Sequence, residues 1–191
     1  MKPKSCLVSF LALGVLLLPS AASAQRPQQA PQTITLAVGI QRGWAGVKRN
    51  LTDAAANMPE EHYLLEPNPE IRNFGELFGH VANAQFRACA AAKGEANPNQ
   101  GKDQELLNKS KAEFVAVLAA SFAYCDPVYV ALTDQSAVEL VEQGNNMVAR
   151  GYLLANNVAH SNEMYGTSAV YMRLENLVPP STERRTRSRA R

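Results

Sequence analysis

The chain has 191 residues, with 19 lysines and arginines against 17 aspartates and glutamates. So even a balance speaks against a strongly basic nucleic-acid-binding surface, and beyond the first two dozen residues no apolar run is long enough to span a bilayer. With 46% hydrophobic residues, the length fits one domain with a core of ordinary size.

The first 24 residues read as a cleavable export signal. Lys2 and Lys4 precede the apolar run Leu7–Leu18, and Ala22-Ser23-Ala24 forms a small-residue cleavage site before Gln25. Twelve apolar residues are too few to cross a hydrocarbon core of about 30 Å as a helix. Cys6 lies ahead of the run, the wrong side for a lipoprotein anchor. The expected location is therefore periplasmic or secreted, with no membrane span after cleavage. Residues 25–33, with Pro27, Pro31 and several glutamines, read as a flexible leader.

From Ile34 the pattern becomes helical. Leu36, Ile40, Trp44, Val47 and Leu51 recur at three- and four-residue steps up to Met58-Pro59. Trp44, the only tryptophan, is expected to anchor the core. A proline-rich linker follows at residues 59–69, in which His62 is expected on the surface beside Glu60 and Glu61. A second helix to about Lys93 carries Phe74, Leu77, Phe78, Val81, Gln85 and Cys89 as its stripe, with His80 on the shoulder. Residues 94–101, GEANPNQG, are a loop.

A third helix is expected from about Lys102, with Leu106, Leu107, Phe114, Leu118 and Phe122 facing the core. Cys125-Asp126-Pro127 should interrupt it, with Asp126 capping a short new helix. Residues 136–141 read as a short extended piece and Gln143-Gly144-Asn145 as a turn. The last helix spans about Asn146–Asn176 and stops before Val178-Pro179-Pro180. Residues 182–191, with five arginines, are expected to be a basic disordered tail. Without that tail and the signal, acidic residues exceed basic ones by 16 to 12.

Long amphipathic helices without strand alternation predict an all-α four-helix bundle over residues 34–181, the long link between its third and fourth helices permitting a crossover. If Cys89 and Cys125 end two antiparallel neighbours, roughly 25 Å separates them, whereas a disulfide needs Cα atoms within about 7 Å. Two buried free thiols are the expectation.

The chemistry-bearing residues are few. There is no G-x-S-x-G, no Gly-rich phosphate loop and no H-E-x-x-H. Leu153, Asn157, Met164 and Tyr171 fall within about 60° of His160 on the last helix. Glu163 lies three residues beyond His160 and Met164 four, both neighbouring positions on a helix. His160, Glu163 and a histidine from a facing helix would offer three donors to a first-row metal. The same spacing suits a hydrogen-bonded core histidine equally.

Phe74–Gln85, FGELFGHVANAQ, with Ala159–Gly166, AHSNEMYG, and the Val178-Pro179-Pro180 ending, resembles the DinB-like superfamily over residues 34–181. The resemblance implies a four-helix bundle with a long crossover. It also implies a divalent ion held by one histidine from the second helix and two, four residues apart, from the last. By position these are His80, His160 and Met164. A thioether is a poor ligand for Zn, Ni or Mn, so the third position is weakened. Either Glu163 takes over as ligand or general base, or the site is a metal-free pocket lined by Asn157 and Met164.

Two functions follow as expectations: a metal-dependent transferase or hydrolase acting on a small molecule, or a non-catalytic bundle that binds an apolar ligand or a protein partner. A homodimer is compatible with both.

Overall fold

The computed structural model describes residues 31–190. The segments expected to be an export signal and most of a flexible leader lie outside the described residues. From Thr33 onward the chain is one compact unit.

Four long helices carry it: α1 (Leu36–Asn57), α2 (Phe74–Lys93), α4 (Lys111–Val130) and α6 (Arg150–Leu174), with three shorter ones, α3 (Gln104–Leu107), α5 (Asp134–Ala137) and α7 (Pro180–Arg189). Local chemistry sets the boundaries. Thr35 caps α1, and reciprocal capping boxes start α2 (Asn73 with Glu76) and α4 (Ser110 with Glu113), satisfying backbone donors that the first turn leaves unpaired. Gly94, at φ 72°, ends α2 in the left-handed region that glycine enters without steric cost. An antiparallel hairpin, β1 (Leu140–Gln143) with β2 (Asn146–Ala149), lies between α5 and α6. Gln143 pairs with Asn146 across the turn at Gly144, which has φ 61°. The expected turn is therefore present, but α6 begins at Arg150, four residues later than the periodicity suggested.

The crossover sits elsewhere than expected. At successive levels Gly75 meets Phe114, Gln85 meets Ser121 and Cys89 meets Cys125, so α2 and α4 run parallel. Arg150 with Ala92 and His160 with His80 set α6 antiparallel to α2; Gln41 with Tyr129 and Lys111 with Met58 set α1 antiparallel to α4. The chain from Gly94 to Ser110 must therefore return along the bundle between α2 and α4. It is a strap rather than the start of a third long helix. Leu106 and Leu107, expected in the core, lie on its outer side at 65% and 59% exposure.

Parallel pairing also corrects the cysteines. Cys89 and Cys125 stand at one level with Cα atoms 5.4 Å apart and form a fully buried disulfide. The expectation of free thiols assumed an antiparallel hairpin. The expected break at Asp126-Pro127 is absent as well: α4 continues to Val130, and Asp126 accepts from Trp44 Nε1 (2.9 Å) and pairs with Lys48 instead of capping a new helix. Trp44 is buried as expected, stacked on Tyr129 with centroids 4.0 Å apart.

The basic segment is not disordered through Arg189. Pro180 occupies the first turn of α7, and Arg184 reaches back to Asn50 and to Asp53 (2.6 Å) on α1. Those bonds supply the anchor that composition alone did not reveal, while Arg185, Arg187 and Arg189 remain exposed.

The disulfide closes a loop over a sequence separation of 36 residues. Reduction, or a Cys89→Ala/Cys125→Ala double variant, is expected to lower the unfolding free energy by roughly 4 kcal/mol in urea titrations. A loss under about 1 kcal/mol would show that the link adds little.

Candidate functional site

His80 comes from the middle of α2 and His160 from the middle of α6, and antiparallel packing of those helices brings the rings together. Their Nε2 atoms are 3.0 Å apart and the ring centroids 5.0 Å apart. Both side chains are half-buried. This is the convergence that the sequence motifs required.

A third group joins them that the sequence did not suggest. Glu105, on α3 in the strap, places Oε1 2.6 Å from His80 Nδ1. Its other oxygen, Oε2, accepts from Arg72 Nε at 2.5 Å. With both rings neutral, the hydrogen pattern then follows. His80 donates Nδ1–H to Glu105, which leaves its Nε2 as an acceptor. His160 donates from Nε2 and keeps its lone pair on Nδ1, a buried atom with no hydrogen-bond partner.

The strap is held in place by amides. Asn83 on α2 donates to Asp103 (2.8 Å) and accepts from Asn99 (2.8 Å) and from the Gln104 backbone N–H (3.1 Å). Gln104 in turn donates to Asn99 at 2.6 Å. Gly79 allows the close approach: a Cβ there would stand 2.7 Å from the Gln104 carbonyl oxygen. The glycine just before His80 thus makes room for the backbone that carries Glu105. The only signals in the sequence were an acid in a polar linker and a glycine beside a histidine, and neither specifies a contact.

The remaining expected residues are placed less centrally. Glu163 is exposed on α6, where its charge still favours protonation of His160. Met164 is half-buried, one turn beyond His160. Asn157 is buried, and its amide donates to Tyr129 Oη at 2.9 Å, so it joins α6 to α4 rather than orienting an imidazole. His62 pairs with Glu175 at 3.3 Å, away from the site.

Next to the imidazole pair lies an open cleft of about 440 Å³, lined by Ile71, Arg72, Leu77, Glu105, Met164 and Tyr171 among others.

The comparisons with known proteins agree with this architecture. A family model described as the DinB superfamily matches residues 44–167. The chain belongs to the DinB superfamily. Among solved structures, a DinB-like protein from Bacillus cereus superposes with a TM-score of 0.62 at 15% identity, covering 74% of this chain and 94% of that one. At that identity the likeness establishes the shared fold. No curated protein gives a significant match.

The superfamily implies a divalent ion, and the donor geometry offers a test. Two nitrogens bound to one ion at about 2.0–2.1 Å sit roughly 3 Å apart, which the Nε2 separation meets. A carboxylate on the far nitrogen of His80 is the support that metal-bound histidines ordinarily have. Among the described residues, however, no group of three or more His, Cys, Asp or Glu side chains is arranged to hold a metal. The two imidazole nitrogens thus have the spacing of a donor pair, without a third such donor placed beside them among the described residues.

Burial lowers the pKa of His160 from its ordinary value, and the neighbouring His80, with Arg87 and Arg72, lowers it further against the opposing pull of Glu163. The unfolded chain, with an ordinary imidazole near 6.5, therefore takes up a proton that the fold resists. Stability from this group is full above about pH 6.5 and declines as the pH falls through the lowered value. Urea unfolding of the parent between pH 8 and 5 (about 1.5 units either side of the ordinary imidazole value of 6.5) should show the decline, and His160→Gln should flatten it. An unchanged slope in the variant would assign it to other groups.

Proposed function

We propose that this DinB-superfamily protein is exported and carries a degenerate divalent-metal site, in which His80 and His160 supply two nitrogen donors and Met164 stands where a third imidazole would. The observation that carries the reading is the 3.0 Å meeting of the two Nε2 atoms, with Glu105 on the far side of His80. An ion bound there supplies Lewis acidity, the chemistry of a metal-dependent transferase or hydrolase.

The chain's own residues do the rest. Glu105 fixes the His80 tautomer so that Nε2 presents a lone pair. Burial keeps His160 neutral, the state in which imidazole binds a metal, and its proton would move from Nε2 to the unpartnered Nδ1 to free the donor. Glu163, exposed and near enough for its charge to reach His160, is the candidate third donor or general base. Met164 offers zinc, nickel or manganese only a thioether, so affinity is low.

Calorimetric titration of untagged protein with Ni or Zn tests this. Met164→His should tighten binding at least about tenfold, equivalent to about 1.4 kcal/mol, and His80→Ala in that background should remove the gain. A Met164→His variant that binds no more tightly than the parent would sink the metal reading.

The buried Cys89–Cys125 disulfide supports export, because such links persist in oxidising compartments. Intact mass of the protein recovered from periplasm or medium should correspond to a chain beginning at Gln25. Recovery with residues 1–24 attached would overturn that part.

A second reading, a bundle that binds a small molecule without catalysis, is favoured by the open cleft beside the imidazoles.

A further inference from the structure

The cleft has a chemistry of its own, set by how Arg72 is used. Arg72 holds Glu105 through Nε alone, and no hydrogen bond engages either terminal guanidinium nitrogen among the described residues. Its side chain is 40% exposed and lines the cleft. Glu105 is fully engaged, one oxygen on His80 and the other on Arg72. Arg72 and Glu105 cancel in charge, and what stays open to a ligand is the outer edge of the guanidinium, a planar pair of donors that matches a carboxylate.

The neighbouring walls are apolar. Leu77 from α2, Met164 and Tyr171 from α6, and Ile71 ahead of α2 line the same space. Tyr171 donates its hydroxyl proton to the Arg72 carbonyl at 2.6 Å, so it offers a ligand its ring and no free donor. Glu70 also lines the space and disfavours any negative charge not paired with Arg72. At about 440 Å³ the space lies within the range of small-molecule sites, roughly 300–1,000 Å³.

We propose that this cleft binds an amphipathic monocarboxylate, its head paired with the terminal nitrogens of Arg72 and its unbranched tail lying along Leu77, Met164 and Tyr171. Methionine suits such a wall because its unbranched thioether chain adapts to tails of different length. The position that weakens the metal site is thereby a contact for the ligand. The proposal rests on the cleft and does not require an ion.

Calorimetric titration of the disulfide-bonded protein with octanoate, in EDTA to remove any metal, is the test. Saturable binding at one site per chain is expected, with octanol and octylamine binding at least about tenfold more weakly. Arg72→Gln should weaken octanoate by a similar factor, whereas Arg72→Lys should retain part of the binding. Because Arg72→Gln also releases Glu105, a second variant is needed: Thr167→Trp fills the cleft from α6 and leaves the Arg72–Glu105 pair in place. That variant should abolish binding at an unchanged melting temperature. No saturable octanoate binding, equal binding of octanol, or indifference to both variants would overturn the proposal. Since metal is absent throughout, such a failure leaves the Met164→His result as the separate arbiter of the metal reading.

Discussion

Parallel pairing of α2 with α4 is the constraint on which the rest depends. Two helices joined in sequence can run parallel only if the chain between them travels back the length of the bundle. That return is the strap from Gly94 to Ser110, and it has two consequences. It places Cys89 and Cys125 at one level, where they are joined. It also carries Glu105 past the middle of α2, where His80 stands. An antiparallel hairpin would have a short loop, separated cysteines and no carboxylate at the imidazole.

The strap is polar because it lies at the surface while packing against a helix. Its backbone groups cannot be satisfied by regular structure over most of its length, so side-chain amides take over the task. Asn83 serves three partners at once, and Gln104 and Asn99 complete the mesh. Gly79 gives the backbone of the strap room against α2. Through these contacts, residues that would never touch a ligand determine the position of Glu105, and through it the tautomer of His80.

The site combines opposing electrostatic demands. Half-burial and two nearby arginines disfavour a charged His160, while Glu105 neutralises part of the positive field by holding both Arg72 and His80. The outcome is an imidazole pair, with the His160 pKa held below its ordinary value, beside a cleft whose apolar walls give way at one edge to the Arg72 guanidinium. A buried polar atom without a partner, His160 Nδ1, costs stability and is retained at the point where the two helices meet.

Helix content, the core stripe around Phe74, Phe78 and Trp44, and the two histidines were legible in the sequence. Each depends on residues close together along the chain: apolar spacing, capping residues and prolines are local, and their effects are local. The facing of His80 and His160 was legible too, because motif positions fixed which helix carried each. What only the tertiary structure decided was direction and partnership. Whether α2 and α4 run parallel, whether Cys89 meets Cys125, whether Asp126 caps a helix or holds Trp44 and Lys48, and whether Arg184 finds Asn50 and Asp53 all turn on contacts between segments distant in sequence. Such contacts arise from packing the whole chain against itself, and so Glu105, buried in no motif and carried by a four-residue helix, became visible only in the fold.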